Sequence, residues 1–398
     1  MYVFAGERCY KIHRIMFLFM GFWPYQKPFI CRLQAVFFFS AYFCTTFFQL
    51  TAFLTTTCNM DCILKRFPYI CLSLVYVLCY CSFYFNSEIL KQALEHMQLD
   101  WKMFENSDTR KVFEEYLFLS YVFALFACLI CPPFLFSWAA LECSLVILDA
   151  IMPINVSRPR KIEVDYELFL DKEEYFYLYV TQELLGVGIG FFTILVPGTF
   201  CLTLVRHSSA TYKIASCLIQ NTVIVHTLQI PVTQQIQFIH RSISFSVYIH
   251  RRTFKFMKNF LDTVYVWYFP LILICILCLS VLLLRLYNAL LHINDIDFYD
   301  IFVCCVLLNT CFIYMFFTNF IAQSYTEHSI EIVKSTYDTL WYLAPLQIQK
   351  LLLIIQRSIK AHIIVLGGLF AFSIEGFATI FTTAVSYFTV LHTLHLTT

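Results

Sequence analysis

Charge is scarce in this chain. Asp, Glu, Lys and Arg make up 13% of its 398 residues, about half of the roughly 25% found in soluble domains, while hydrophobic residues make up 60%. The charge that is present nearly cancels, to a net +1. Nucleic-acid binders show clustered basic residues instead, so no nucleic-acid partner is expected. Catalytic patterns are also missing: there is no H-E-x-x-H, Walker loop, G-x-S-x-G or paired intramembrane carboxylate. No enzymatic activity, cofactor or metal is expected. No internal repeat is apparent, which counts against a transporter built from inverted halves. Nor is there a secretory signal, because the apolar stretch 15–24 is short and no small-residue cleavage site follows it. The N-terminus is therefore expected to be retained, with 16–23 at the membrane interface or packed on the bundle.

What is present is seven stretches of 21 to 28 residues without a single Lys, Arg, Asp or Glu: 33–60, 67–87, 116–141, 184–205, 264–284, 301–326 and 376–398. About 20 apolar residues cross a bilayer as a helix, so each run is long enough to span. The fold class is all-α, a seven-transmembrane helical membrane protein. An eighth uncharged run, 214–240, holds Asn221, His226, Pro231 and five glutamines. Polar side chains are costly in lipid, which places that run outside the membrane. Of the 18 cysteines most lie inside the apolar runs, where free Cys acts as a small hydrophobe. The C-x-x-C pairs Cys128/Cys131 and Cys275/Cys278 are read as chance spacing.

Seven spans put the termini on opposite sides. With a cytoplasmic N-terminus and an extracellular C-terminus, inside segments hold 20 and outside segments 7 of the 27 Lys and Arg. Arg251, Arg252, Lys255 and Lys258 cluster just before the fifth span, where the positive-inside bias acts most strongly. The only N-x-S/T sequon, at Asn155, then falls outside and is a candidate glycosylation site. This orientation disfavours a G-protein-coupled receptor, and neither a D-R-Y-like triplet nor N-P-x-x-Y is present. In 88–115, Leu90, Leu94, Met97, Trp101 and Phe104 recur at helical intervals. A second stripe is formed by Leu351, Leu352, Ile355, Ile359 and Ile363. Together with 206–262, these segments predict cytoplasmic helical extensions forming an anchor layer. The expected organisation is 1–32 as a cytoplasmic segment with a short interfacial helix, 33–322 as spans one to six, 323–366 as intracellular anchor helices and 367–398 as the last span.

Aromatic residues make up 19% of the chain. At the outer ends of spans two to four and six lie Phe67, Tyr69, Tyr76, Phe136, Trp138, Tyr177, Tyr179, Gln182, Phe302, Cys305 and Asn309. Helix packing accounts for any one of them; as a set they predict an apolar, aromatic-lined cavity for a small hydrophobic ligand. In the last span Glu375 is the only charge after Lys360, and Thr379, Thr382, Thr383, Ser386, Thr389 and Thr393 follow it. Glu375 either attracts cations at the inner mouth of a pathway or bonds the loop helices. His392 and His395 are read as a solvated helix end. The residues alone leave two readings open, a ligand-gated channel subunit and a seven-span chemoreceptor that signals through a cytoplasmic partner.

Several motifs give the chain a family likeness. Met20-Gly21-Phe22-Trp23-Pro24 resembles the G-x-W-P element before the first span of insect odorant receptors. Residues 335–342, S-T-Y-D-T-L-W-Y, resemble that family's S-x-x-x-Y-x-x-x-W-Y stretch, offset by spacing. Phe372-Ser373-Ile374-Glu375-Gly376-Phe377 resembles its S-L-E-T-F element, with Gly376 in place of the usual Thr, and Ser386-Tyr387-Phe388-Thr389-Val390-Leu391 resembles its S-Y-F-T-x-L ending. The gustatory T-Y…Q-F ending is not matched, because Thr393-Leu394 stand where Q-F would fall. The resemblance implies a ligand-gated non-selective cation channel in the plasma membrane, formed as a heterotetramer with the shared odorant co-receptor and opened by a small hydrophobic volatile. It implies that the last span lines the pore, with Val390 and Leu394 at the gate and Thr393 beside them.

Overall fold

The computed structural model describes residues 7–55, 59–104, 107–152, 162–224, 227, 229, 231–291, 298–366 and 368–397. Asn155 lies outside the described residues. In lipid every backbone polar group must be bonded within the protein, which selects helices. The helices in chain order are α1 (Glu7–Met20), α2 (Pro28–Thr55), α3 (Met60–Tyr84), α4 (Ser87–Met103), α5 (Ser107–Glu142) and α6 (Ser144–Ile151). They continue as α7 (Phe176–Gln220), α8 (Val232–Leu291), α9 (Phe298–Tyr337), α10 (Leu346–Ser358) and α11 (Ile374–Thr397). Seven of them, α2, α3, α5, α7, α8, α9 and α11, are long and apolar enough to cross a membrane, and the chain is a multi-pass membrane protein. The run 214–240 holds no span of its own; α7 stops at Gln220 and α8 starts at Val232.

The α7 and α8 helices have 45 and 60 residues. At 1.5 Å per residue that is about 68 and 90 Å, against a hydrocarbon core of about 30 Å. Their surplus length joins α1, α4, the start of α5, the end of α9 and α10 in a helical layer at one end of the bundle, called here the α1 end. Its core contains Phe17, Met20, Leu90, Leu94, Met97, Phe113 and Phe200, with the Phe17 and Phe200 rings 5.0 Å apart. The α1 helix is thus packed into the protein. Along α10, Ile348, Leu352 and Ile355 are buried. The helix ends at Ser358, so the apolar stripe read through Ile363 stops short and Ile363 is exposed.

A buried polar chain ties this layer together. Trp101 Nε1 donates to Tyr10 Oη (3.1 Å), Tyr10 Oη donates to His207 Nδ1 (3.1 Å), and His207 Nε2 donates to Asp100 Oδ2 (3.0 Å). Arg252 donates to the other Asp100 oxygen and, at 2.9 Å, to His96 Nδ1. Burial alone raises the Asp100 pKa, but the His207 hydrogen bond and the charge of Arg252 hold it below the usual carboxylate value. Three helices (α4, α7 and α8) meet at the Asp100 carboxylate, and Tyr10 joins α1 to it through His207.

A short hairpin, Val365–Leu366 paired antiparallel with Phe370–Ala371, leads into α11. Ser373 N donates to Asn319 Oδ1 of α9 (3.1 Å), and α11 then runs to the end of the bundle opposite α1. The cysteines of both C-x-x-C pairs are free thiols, whereas Cys62 is disulfide-bonded.

Candidate functional site

At the end of the bundle away from α1, an irregular strap, 162–175, folds against the helix ends. Glu167 N donates to Phe48 O of α2 (3.0 Å), and Tyr179 Oη donates to Leu170 O (3.0 Å). Beneath the strap is a cavity of about 330 Å³ lined by Lys65, Ile162, Glu163, Val164, Asp165, Tyr166, Lys172, Tyr179, Tyr299 and Asp300. Its volume is at the small end of the range for small-molecule sites.

The wall is more charged than the sequence predicts. Glu163, fully buried, accepts from Arg285 Nη2 of α8 (2.7 Å) and Tyr69 Oη of α3 (2.8 Å), with Lys65 Nζ 3.8 Å from its second oxygen. Arg285 also pairs with Asp300 of α9. Glu142 Oε1 of α5 accepts from Tyr299 Oη (2.9 Å), and Glu183 Oε1 of α7 accepts from Trp138 Nε1 (2.9 Å). Arg66 Nε donates to Asp165 Oδ2 (3.0 Å). A buried carboxylate is tolerated only when paired or hydrogen-bonded, and here five helices and the strap share that task. Arg66, Glu142, Glu183, Arg285 and Asp300 each flank an uncharged run directly. Sequence reading treats such charges as boundary markers; their gathering at the same end of five spans is the signal it misses.

Of the predicted aromatic set, Tyr69, Tyr76, Trp138 and Tyr179 are buried at this end. Tyr179 lines the cavity, and Tyr69 and Trp138 bond its carboxylates. Tyr76 packs against Gly190 so closely that a β-carbon there would lie 2.0 Å from the ring. Phe67, Gln182 and Cys305 are half-buried. Phe67 of α3 and Phe388 and Leu391 of α11 all pack against the buried cluster of Leu64, Val281 and Leu284, which joins α3, α8 and α11. Phe136, Tyr177, Phe302 and Asn309 are exposed on the single chain, and Asn309 Nδ2 donates to Cys305 O of its own helix (2.8 Å).

The α11 helix packs on one face and is open over the rest, where exposed Ile374, Phe381, Val385 and Tyr387 flank a more polar stripe. Ile380 and Ala384 pack with Ile276 and Leu279 of α8, and Phe388 and Leu391 join the cluster around Phe67. On the opposite face Glu375, Thr379, Thr382, Ser386, Thr389, Val390, Thr393 and Leu394 form one open stripe at helical spacing. Val390 and Leu394 are 55% and 57% exposed. The hydroxyls of Thr379, Ser386, Thr389 and Thr393 bond carbonyls of their own helix, as from Thr379 to Glu375 O (3.0 Å) and from Thr393 to Thr389 O (2.9 Å).

Seven spans, an extended helical layer at one end and a last helix packed on one face define the class of the insect olfactory receptor fold. The chain is similar to olfactory receptor OR5 of Machilis hrabei in complex with eugenol, with a TM-score of 0.72 at 15% identity over 98% of both chains. A second structure of that receptor gives 0.69 at 15% identity over 97% of both chains. No protein-family model matches the sequence, and no curated protein does.

Proposed function

We propose that this chain is a ligand-tuning subunit of the insect odorant receptor family, in the plasma membrane with its α1 end cytoplasmic and its C-terminus outside. It binds a small volatile near Tyr69, Tyr76, Trp138 and Tyr179 and gates a non-selective cation channel as a heterotetramer with the shared odorant co-receptor. The observation that carries this reading is the open stripe of α11. The Glu375 carboxylate is costly against lipid, the hydroxyls keep free lone pairs although their O–H groups bond the helix, and a water-filled axis shared with neighbouring subunits suits both. Along that axis Glu375 lies at the inner mouth, and Val390 and Leu394, with Thr393 beside them, form an apolar constriction that closes by dewetting. Outside the spans, exposed Tyr342, Leu343, Leu346, Leu353 and Ile354 provide an apolar surface for neighbouring subunits.

A continuous set of contacts joins the two sites. Glu163 holds Arg285, the residue after Leu284, and Leu284 packs with Phe67, Phe388 and Leu391 of the cluster on α11. Ligand that shifts α3 against α8 therefore bears directly on the pore helix, and the bound state stabilises the arrangement with Val390 and Leu394 off the axis.

The test is whole-cell recording against a volatile panel with and without the co-receptor. Odorant-evoked cation current only in the paired cells supports a tuning subunit. Current from this chain alone contradicts the heteromer. Silence in both, with the protein labelled at the surface, contradicts the channel reading.

A further inference from the structure

The cavity beneath the strap holds an unfilled hydrogen-bonding position. Glu163 is 1% exposed, yet its Oε2 has no hydrogen-bond partner. Lys65 Nζ, at 3.8 Å, supplies charge but lies beyond hydrogen-bond reach. Glu183 behind it, 0% exposed, likewise has an unpartnered Oε2. Leaving such an oxygen unfilled is expensive in a buried site, so a donor brought by a ligand gains the most there.

The partners of the charged groups point the same way. Among the described residues around the cavity, the bases Arg66, Arg285, Lys65 and Lys172 face Glu163, Asp165 and Asp300, whereas Glu183 is bonded to Trp138 and Glu142 to Tyr299. The apolar part of the wall is aromatic, from Tyr166, Tyr179 and Tyr299. An ammonium already lies over one of these rings: Lys172 Nζ is 6.0 Å from the Tyr179 centroid, on a half-exposed side chain that also pairs with Asp165 at 3.6 Å. Aromatic faces beside carboxylates are the environment that binds organic cations.

We propose that this cavity recognises a small primary amine as its ammonium ion, with Glu163 Oε2 accepting from the ammonium and the tyrosine rings packing its alkyl chain. The inference rests on the odorant-receptor reading for its physiological meaning and narrows the ligand class from apolar volatiles to amines.

The experiment compares hexylamine, hexanol and methyl pentyl ketone on cells expressing the chain with the co-receptor, alongside Glu163→Gln and Glu163→Asp, with surface labelling of each. Hexylamine is expected to act at the lowest concentration. Glu163→Gln should raise its half-maximal concentration about 10- to 100-fold, the span of a charged hydrogen bond, and change the ketone's by less than about threefold; Glu163→Asp should recover part of the loss. Because Glu163 also holds Arg285, a second measurement uses the unaltered protein in detergent: hexylamine raises its thermal midpoint and hexanol does not. Currents to ketone or alcohol without a preferred amine response overturn the amine assignment and leave the receptor reading standing. If no volatile evokes current from surface-labelled protein, the receptor reading fails, and the thermal midpoint alone decides for or against the amine site.

Discussion

At Gly376 a β-carbon would lie 1.7 Å from the Ala371 carbonyl oxygen, so no side chain fits while the hairpin keeps its place beside α11. Glycine at 376 is thus a packing requirement here, and the helix starts at Ile374, with Gly376 N donating to Ser373 Oγ (2.9 Å). Gly376→Ala should displace the hairpin and abolish most ligand-evoked current, read by recording cells matched for surface label; an unaltered response would remove the hairpin from the gating account. Gly190→Ala forces the Tyr76 ring to move, and the expected result is a changed order of potency across a volatile panel. At the proposed constriction, Val390→Ser should raise resting current, because a hydroxyl eases wetting of an apolar gate. None of these contacts was legible in the sequence, since each depends on which backbone or ring lies opposite.

The seven runs without charge gave the spans, because a bilayer demands about 20 apolar residues in a row and nothing else in this chain meets that demand. Their ends were less legible. The α7 helix extends from Phe176 to Gln220, well past the run 184–205, because Glu183 and His207 are bonded inside the protein. The α4 helix was visible through Leu90, Leu94, Met97 and Trp101, all buried. The charged partners in the same layer were not. Asp100→Ala strands Arg252 and His207 and should cost about 3–5 kcal/mol, as breaking a buried pair does, read as a lower thermal midpoint. The layer should also respond to acid. Burial, the leading cause, lowers the pKa of His13, His96 and His362 from 6.5 to about 4, with Arg252 and His207 adding to the effect at His96, and His250 and Lys258 at His362. The unfolded chain binds these protons near pH 6.5 and the folded layer only near 4, so stability present above 6.5 is lost as pH falls between those values. Acidification from about pH 7.5 to about pH 5.5 should therefore lower the thermal midpoint more, or raise it less, in the unaltered chain than in His13→Phe; an identical response in the two contradicts it.

Taken whole, the molecule is a bundle with two differently built ends. One is a packed helical layer fastened at Asp100; the other is a strap over a charged cavity, joined to α11 through Phe67, Leu284 and Phe388. The seven spans and the helical layer at one end followed from patterning, and the last helix was singled out by its hydroxyls. The cavity was expected to be aromatic and apolar, and its carboxylates escaped notice because charges beside a span look the same whether they meet water or one another. Phe67→Ala should lower the maximal ligand response more than it shifts the half-maximal concentration, since it loosens the link to α11 and not the cavity wall. The central claim is that the open face of α11 borders the ion path. It is tested most directly by a charged thiol reagent applied during ligand-evoked current to the unaltered chain and to Val390→Cys, Leu394→Cys and Ala384→Cys. Block at 390 and 394 that requires ligand, with none at 384 or in the unaltered chain, is the predicted result; reagent that leaves 390 and 394 currents unchanged would contradict it.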